Sequence, residues 1–256
     1  MNVVAIIQAR MSSKRLPGKV LLPLAGVPAL NHVVSRIQSC KTINKVVVAT
    51  SADPSDDVIE TYCKEENFDF YRGSLLDVLD RYYQCAKSEN ASAIVRITAD
   101  CPVIDPVVVD AVVTGFLAGR YDYYSLTNEF PDGLDCEVIS FSALEKAWKD
   151  AKLPSEREHV CPYIHTSHKS EFKTGGLELF TGLQHMRWTL DEPNDYELLK
   201  KIYDSLYKPG KIFLVNNILL EFQKNPEWIN INQTILRNAG YHKSLVQDEE
   251  FLKNHH

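Results

Sequence analysis

The first half of the chain alternates between short apolar runs and longer amphipathic stretches. The run VVAII at 3–7 is β-branched and continuous, which is typical of a strand buried on both faces, and strands are also predicted at 45–51, 68–73 and 93–100. Helical spacing of apolar residues predicts helices at 28–38, 53–66, 76–87 and 106–117. Strands that alternate with helices of about ten to fifteen residues predict βαβ crossovers and a mainly parallel sheet.

The pattern is looser beyond about residue 120. It predicts strands at 121–126, 136–141 and 185–190, and helices at 142–151, 155–167 and 193–206. Ser155 and Glu158 have the spacing of a capping box at the start of the second of these helices. The tail from 222 to 245 has apolar residues typical of helical segments. No repeat or linker divides the chain, so we predict one domain over 1–256.

Charge is distributed unevenly in a chain whose formal net charge is −6. Residues 1–52 contain seven Lys and Arg and no acidic residue, so the remainder holds all 34 acidic residues against 21 basic ones, a balance of −13. An acidic body argues against general nucleic-acid binding, whereas a local basic pocket suits a small polyanion. The first ten residues resemble neither a signal peptide nor a membrane span, and the six cysteines are scattered, so we expect a cytoplasmic protein with reduced thiols.

The basic residues concentrate in QARMSSKRLPGKV, residues 8–20, directly after the first predicted strand. This segment matches neither a G-x-G-x-x-G motif nor a P-loop. It nevertheless supplies groups that bind phosphate: two arginine forks, a lysine, two hydroxyls and a turn that presents backbone N–H groups. These are Arg10, Arg15, Lys19, Ser12, Ser13 and the Pro17-Gly18 pair. We therefore predict a site for a nucleoside triphosphate, and the alternative is an exposed loop with incidental charge.

QARMSSKRLPGKVLLPLAGVPALNHVV resembles the opening of the cytidylyltransferases that make CMP-activated sugar acids, the CMP-Kdo, acylneuraminate and pseudaminate synthetases, and above all their SpsF-like branch, named for spore-coat polysaccharide synthesis. The residues that match the family's triphosphate motif are Ala9, Arg10, Ser13, Arg15, Pro17 and Lys19. Further similar blocks are VVVATSADPSDD, YRGSLLDVLDRYY, VRITADCPVIDP, PDGLDCEVISF, SEREHVCPYI and RWTLDEPNDYELL. The resemblance therefore extends to about residue 206 and leaves out the last fifty residues.

The resemblance implies a three-layer, Rossmann-like nucleotidyltransferase fold with an excursion in its second half. It divides the predicted domain into a nucleotide-binding half at 1–118, an acceptor-binding and dimerisation excursion at 119–206, and a helical extension at 207–256. It implies transfer of CMP from CTP to the hydroxyl of a sugar acid with release of pyrophosphate, for surface polysaccharide synthesis. It also implies that Arg10, Arg15, Lys19 and Asp100 are catalytic through charge neutralisation and positioning.

Two aspartates are candidate ligands for a Mg²⁺ cofactor. Asp100 follows the fourth predicted strand, where the parallel-sheet rule places it opposite the basic turn, and the alternative is a capping or loop aspartate. The resemblance implies that Asp191 is the second metal carboxylate. Asp191 could instead cap the following helix, and Asp195 could simply favour its dipole. Two carboxylates suffice because Mg²⁺ usually completes its shell with phosphate oxygens and water.

The resemblance places the base near 49–53 and 72–77, with Thr50, Arg72, Ser74 and Thr98 as contacts. The alternative for Arg72 is an ion pair with Asp77. The acceptor pocket is expected in the second half, with contacts from Asp135, Glu137, Arg157, His159 and Arg187. An arginine fork suits the carboxylate of a sugar acid, while Ser155 and Glu158 also admit a plain helix-capping role. Acceptor identity stays open among pseudaminic, Kdo-like and other hydroxylated acids.

Two other functions share some of these features. A GT-A glycosyltransferase has a similar nucleotide-binding half, but it normally uses a D-x-D pair, which ADCPVID lacks. A non-catalytic nucleotide-binding protein would not need Lys19 or the two aspartates. The expected partners are CTP and a small acceptor, with no nucleic acid and no membrane. A homodimer is also expected, because Tyr121, Tyr123, Tyr124, Phe130 and Phe180 give the excursion an aromatic content suited to an interface.

Overall fold

The computed structural model describes residues 1–127 and 129–254. Seven of its strands form one sheet in the order β5-β4-β1-β6-β8-β7-β9, and the other two form a small hairpin. Within that sheet β8 alone runs opposite to its neighbours, so the sheet is mainly parallel. The strands are β1 (Val3–Gln8), β2 (Pro23–Leu24), β3 (Val27–Pro28), β4 (Lys45–Ser51), β5 (Phe70–Gly73), β6 (Ala93–Thr98), β7 (Tyr123–Leu126), β8 (Glu137–Ser140) and β9 (Thr174–Leu177).

Helices cover both faces of this sheet. They are α1 (Ala29–Gln38), α2 (Asp57–Glu65), α3 (Val78–Ser88), α4 (Pro106–Gly119), α5 (Phe141–Asp150), α6 (Pro154–His159), α7 (Pro193–Leu206), α8 (Val215–Lys224) and α9 (Ala239–Asn254). Alternate β1 residues separate the two cores: Ala5 and Ile7 pack with α1, α4 and α7, whereas Val4 and Ile6 pack with α3 and α5. The predicted three-layer α/β fold is therefore confirmed.

Most predicted elements of the first half agree with the structure to within a few residues, because buried parallel strands and amphipathic helices have strong patterns. In the helix predicted at 53–66, Asp53 caps a 3₁₀ turn at Pro54–Asp56 by accepting the Ser55 N–H at 2.9 Å, and α2 itself begins only at Asp57. The tail contains α8, a 3₁₀ segment at Pro226–Ile231 and α9. Strand β9 was not predicted, because two of the four residues of TGGL are glycines, which are depleted in strands.

Two predictions in the second half are wrong. Residues 185–190 form no strand, because their backbone binds loops instead: the Trp188 N–H donates to the Asp132 carbonyl at 2.6 Å and the Leu190 N–H to the Asp100 carbonyl at 2.7 Å. The helix predicted at 155–167 is interrupted: α6 ends at His159, and a separate π-helical segment covers Tyr163–Ser167. Ser155 does not cap α6. Glu156 accepts the Lys152 and Leu153 N–H groups, both at 3.1 Å, and so satisfies the start of the helix.

The aromatic residues behind the dimer prediction lie mainly inside the chain. Tyr123, Tyr124 and Phe130 are buried, while Tyr121 and Phe180 are partly buried against the same core. They therefore give no exposed interface, and the homodimer stays a prediction. The six cysteines are buried free thiols. Among the described residues, no helix is long and apolar enough to cross a membrane.

Candidate active site

The basic turn lies at the edge of the sheet where β1, β4 and β6 end. Gln8 is in register with Ala49 and Thr98, so the three carboxyl ends are level. The parallel-sheet rule places ligands at this edge. The basic turn after β1 and Asp100, two residues beyond β6, therefore face one crevice, as their positions in the sequence predict.

A buried carboxylate that sequence analysis missed holds the turn in place. Asp56 is fully buried and accepts the Met11 N–H at 2.7 Å and the Ser51 hydroxyl at 2.5 Å. The Gly18 N–H closes the turn on the Met11 carbonyl at 3.1 Å, with Gly18 at a positive φ of 69°. The only signal for Asp56 was its place in an acidic stretch, SADPSDD, which does not distinguish it from Asp53 and Asp57.

Lys19 brings the two predicted metal aspartates together. Its Nζ donates to Asp100 Oδ2 at 2.6 Å and to Asp191 Oδ1 at 2.5 Å. The Thr98 hydroxyl donates to the other Asp100 oxygen at 2.5 Å. Thr98 therefore contacts one of the two candidate metal ligands directly. Residues 19, 100 and 191, far apart in the chain, therefore meet at one point.

The charges of this cluster reinforce one another. Burial by itself would lower the pKa of Lys19, but the two aspartates outweigh it and raise that pKa above its usual value. Burial would likewise raise the pKa of Asp100, but the charge and hydrogen bonds of Lys19, with the bond from Thr98, lower it to about 2. At neutral pH the Lys19 ammonium therefore lies against the ionised carboxylate of Asp100, and it also donates to Asp191.

The two arginines of the turn also pair with carboxylates. Arg15 is 3.1 Å from Asp191 Oδ2 and 3.0 Å from Glu192 Oε1, and Arg10 is 3.8 Å from Glu158 Oε1. All three pairs are partly exposed, so each ion pair contributes little to stability and the guanidinium groups are free to exchange partners. Ser12 is exposed, and the Ser13 hydroxyl accepts the Leu16 N–H at 3.3 Å. Ala9 is buried and pairs with the end of β4.

Asp191 is positioned by a buried network centred on Asp195. Asp195 is fully buried, and its Oδ2 accepts the N–H groups of Asp191 and Glu192 at 3.0 Å each. Arg187 donates to both Asp195 oxygens at 2.9 Å and to Asp132 at 2.6 Å. Asp195 therefore does more than favour the helix dipole. Arg187 was predicted to contact the acceptor, but it instead helps to hold the loop that carries Asp191.

Gly133 allows the PDGLD segment to approach this loop. Its φ is +104°, and a Cβ there would lie 2.6 Å from the Trp188 carbonyl carbon. Gly133→Ala is expected to lower the free energy of unfolding by about 2–3 kcal/mol, through backbone strain and this overlap. Urea denaturation measures the change.

The control is Gly240→Ala in α9, where no atom lies within 4 Å of the added carbon and φ is not positive. This control should be neutral or up to about 1 kcal/mol stabilising. Equal effects of the two substitutions would contradict the close approach at Gly133.

Most of the side chains that were predicted to contact the nucleotide base are bonded to other groups of the protein. Arg72 forms ion pairs with Asp57 at 2.7 Å and Glu60 at 2.5 Å and donates to two backbone carbonyls. The suggested Arg72–Asp77 pair is therefore wrong. The Ser74 hydroxyl accepts the Asp77 N–H at 3.0 Å. Thr50 is fully buried, and its hydroxyl has no partner among the described residues.

Helix α6 lies across the nucleotide half rather than in the expected acceptor pocket. Arg157 pairs with Asp77, the N-cap of α3, and donates to the Trp148 carbonyl at 2.8 Å. His159 lies 3.0 Å from the Ser244 hydroxyl of α9, which donates to Glu158 at 2.9 Å. Burial lowers the pKa of His159, so its ring is neutral near pH 7. Arg157 and His159 thus connect three elements of the structure.

Asp135 and Glu137, the other predicted acceptor residues, line one cavity of about 870 Å³ beside β7 and β9. Glu137 accepts from Arg96 at 2.5 Å and from the Tyr123 hydroxyl at 2.7 Å. Asp135 accepts the Gly133 N–H at 2.9 Å and lies 3.5 Å from Arg237. Of the five predicted acceptor residues, these two share a cavity with each other.

Sequence analysis also missed Arg81, whose helix position resembles that of an exposed arginine. It is fully buried on α3 beside the base loop, where its Nη1 donates to the Ser74 carbonyl at 3.2 Å. Its Nε and Nη2 have no partner within the described part of the chain. Burial lowers its pKa, and the neighbouring charge of Arg10 adds to the effect.

The site therefore combines a cationic turn with two converging carboxylates at one edge of the sheet. Arg10, Arg15 and Lys19 can neutralise phosphate oxygens, and Asp100 with Asp191 can share a divalent cation. A cavity with its own charged side chains lies next to the PDGLD segment. This arrangement can hold a polyphosphate beside a second, smaller substrate.

Comparison with known proteins gives concordant matches. The sequence model of the family described as cytidylyltransferase matches residues 4–222. An uncharacterised protein of Methanocaldococcus jannaschii is 37% identical over 243 residues, covering 93% of this chain and 98% of that protein. The spore coat polysaccharide biosynthesis protein SpsF of Bacillus subtilis is 34% identical over 210 residues, covering 79% and 86%. The solved structure of a cytidylyltransferase from Leptospira borgpetersenii serovar Hardjo-bovis superposes with a TM-score of 0.85 at 36% identity, covering 93% of this chain and all of that one.

Proposed function

Because the chain belongs to the cytidylyltransferase family, we propose that it moves CMP from CTP to the hydroxyl of a sugar acid and releases pyrophosphate. The similarity to SpsF supports a role in surface polysaccharide synthesis. The observation that carries the proposal is the meeting of Lys19 with Asp100 and Asp191 behind the basic turn. Family membership favours this reaction over glycosyl transfer, and the three charged residues favour catalysis over nucleotide binding alone.

The basic turn would bind the triphosphate of CTP. Arg10 and Arg15 present guanidinium forks from a partly exposed rim, and their present partners are replaceable side-chain carboxylates. Lys19 is buried and fixed, so its charge suits the phosphate group nearest the reacting centre. As pyrophosphate departs, these cations would stabilise the negative charge that develops on it.

The aspartate pair fits a magnesium ion. Both carboxylates place an oxygen within 2.6 Å of one point, which the Lys19 ammonium occupies in this structure. A bound Mg²⁺ would take that point, and the ammonium would turn towards the phosphates. Two carboxylates with phosphate oxygens and water form a normal Mg²⁺ shell. When bound, Mg²⁺ would supply positive charge at the phosphate that is attacked. Asp195 and Arg187 would fix the Asp191 side of the site, and Thr98 would fix the carboxylate of Asp100.

Nucleophilic attack by the acceptor would need positioning more than a covalent protein intermediate. The acceptor hydroxyl attacks the α-phosphorus, the bond to pyrophosphate breaks, and CMP is joined to the acceptor oxygen. The hydroxyl proton would leave to solvent or a neighbouring carboxylate. Holding the two substrates in line would supply a large part of the rate.

The test is a pyrophosphate-release assay with Mg²⁺, each of CTP, UTP, ATP and GTP, and a panel of 2-keto sugar acids that includes 3-deoxy-manno-octulosonate and N-acetylneuraminate. We expect release with CTP that depends on both the acid and the metal, and a product whose mass equals the acid plus CMP minus water. Reactions without the acid and with chelator are the controls. A preference for another nucleotide, or transfer of sugar from a nucleotide sugar, would contradict the proposal.

A further inference from the structure

The cavity beside β7 and β9 is built from three separate parts of the chain. Its walls come from strands β7, β8 and β9, from the segment that follows α6, and from the segment that precedes α9. At about 870 Å³ it has the size of a small-molecule site. Hydroxyl and amide side chains, among them Ser125, Thr174 and Gln184, alternate there with Tyr123 and Phe130. Such a lining suits a polyhydroxylated ligand with some apolar surface.

The cavity is electrically different from the acidic chain around it. Its cations are Arg237 and Lys169, and Lys169 has no ion pair among the described residues. Of its two acids, Glu137 is neutralised by Arg96 at 2.5 Å. Burial lowers the pKa of His165, so that ring adds no charge near neutral pH. Two cations therefore face one carboxylate, Asp135, which leaves room for an anionic ligand.

Arg237 is held with its guanidinium towards this cavity. Its Nη1 donates to the Phe130 carbonyl at 2.8 Å, and its charge lies 4.4 Å from the centre of the Phe130 ring. Its Nη2 lies 3.5 Å from Asp135 Oδ1, a long contact for an ion pair, and the side chain keeps a quarter of its surface exposed. The Nη1 side of the guanidinium is thus fixed by the protein, while Nη2 is only weakly engaged.

The segment that carries Arg237 is anchored to the active-site network. Asn232 donates to the Arg187 carbonyl at 2.9 Å and to Asp195 at 2.8 Å. This segment lies beyond residue 222, where the match to the family model ends. The last part of the chain therefore contributes a residue to the cavity that the family model does not include.

The cavity adjoins the PDGLD segment, which is bonded to the active-site loop. Asp135 lies at the cavity wall. Asp132, three residues earlier, accepts from Arg187 at 2.6 Å, and Arg187 pairs with the Asp195 carboxylate that holds the Asp191 N–H. In contrast, the two arginines first considered for an acceptor carboxylate, Arg157 and Arg187, are engaged in ion pairs elsewhere.

From this geometry we propose that Arg237, assisted by Lys169, binds the carboxylate of the acceptor in the cavity beside β7 and β9. The substrate class that follows is a polyhydroxylated carboxylic acid whose carboxylate faces Arg237 of the C-terminal segment. The inference rests on the proposed function, because it assigns the acceptor side of the same reaction. Arg237 is a specificity-determining residue in this assignment.

The test compares Arg237→Gln with wild type in the CTP assay, with 3-deoxy-manno-octulosonate and N-acetylneuraminate as probes. We expect the KM for the acid to rise about 10- to 100-fold, as for the loss of a charged hydrogen bond, while the KM for CTP changes less than about twofold. Lys169→Gln should raise the acid KM by a smaller factor, and Arg237→Lys should recover part of the loss. Lys243→Gln, on the exposed side of α9, is the matched control and should behave as wild type.

A second experiment uses the carboxamide of whichever acid has the lower KM, because the amide keeps the shape of the acid and lacks its negative charge. Wild type should discriminate strongly against the amide, and Arg237→Gln should lose most of that discrimination. Equal use of acid and amide by wild type would overturn the assignment, as would an unchanged acid KM in both Arg237→Gln and Lys169→Gln.

Thermal stabilisation by CTP with Mg²⁺ separates this inference from the proposed function. If CTP stabilises the protein but no acid of the panel binds or reacts, the acceptor assignment is wrong and the nucleotide assignment stands. If CTP itself does not bind, the proposed function fails and the inference fails with it. A variant that loses stability in the absence of substrates and keeps its acid KM would show that Arg237 only anchors the segment.

Discussion

Replacing Lys19 by Met is expected to lower the turnover with CTP about 100- to 1,000-fold, the usual cost of removing one fixed charge that stabilises a transition state. The physical reason is that Lys19 is the one cation bonded to both Asp100 and Asp191 among the described residues. Without it, the site loses a buried positive charge that would stabilise the leaving pyrophosphate. The measurement is the steady-state rate of pyrophosphate release at saturating CTP and Mg²⁺.

Lys14→Met is the matched control, because Lys14 lies on the same turn with an exposed side chain. It should retain most of the wild-type turnover. The near- and far-ultraviolet circular dichroism of both variants should match that of wild type, since Met keeps the length of the buried stem of Lys19. Equal turnover of Lys19→Met and wild type would refute the role assigned to the cluster.

Asp195→Ala should produce the largest loss of stability in the chain's second half, about 3–5 kcal/mol in the free energy of unfolding. The substitution removes the carboxylate that pairs with Arg187 and accepts the N–H groups of Asp191 and Glu192. It therefore leaves a buried guanidinium with one fewer partner and two unsatisfied N–H groups at the start of α7. Denaturant titration followed by tryptophan fluorescence, to which the buried Trp188 contributes, measures the change.

Glu197→Ala is the control, since Glu197 lies on the exposed side of the same helix. Its effect should stay within about 0.5 kcal/mol, as is usual for surface positions. Asp195→Asn keeps the shape and part of the hydrogen bonding, so it should cost less than Asp195→Ala. If Asp195→Ala were as stable as Glu197→Ala, Asp191 would not depend on this network for its position.

The positions of the first-half strands and the edge that carries the basic turn follow from patterns that are local in the chain. The run VVAII and its counterparts are recognisable because a strand buried on both faces needs continuous apolar residues. The rule that ligands bind beyond the carboxyl ends of parallel strands then places the basic turn and Asp100 at one edge. Both predictions are met because each depends on a few neighbouring residues.

Side-chain partnerships depend on residues far apart in sequence, and there the local patterns mislead. Arg72 and Asp77 are close in the chain, yet Arg72 pairs with Asp57 and Glu60, and Asp77 pairs with Arg157. The residues of RWTL alternate like a strand, but no neighbouring strand edge receives them, so they bind the PDGLD segment and the Asp100 carbonyl instead. Arginine and aspartate have no preference for a partner by sequence distance, so only packing selects it.

The sequence by itself determined the layered α/β fold, the edge that carries the site and the charges available there. Periodicity and turn chemistry act over a few residues, and they are therefore visible in one dimension. Only the tertiary structure decided that Lys19 joins Asp100 to Asp191, that Arg157 and Arg187 are engaged elsewhere, and that Arg237 reaches the cavity from the C-terminal segment. These contacts arise when folding brings distant segments together, because burial then requires each charge to find a partner that no local pattern specifies.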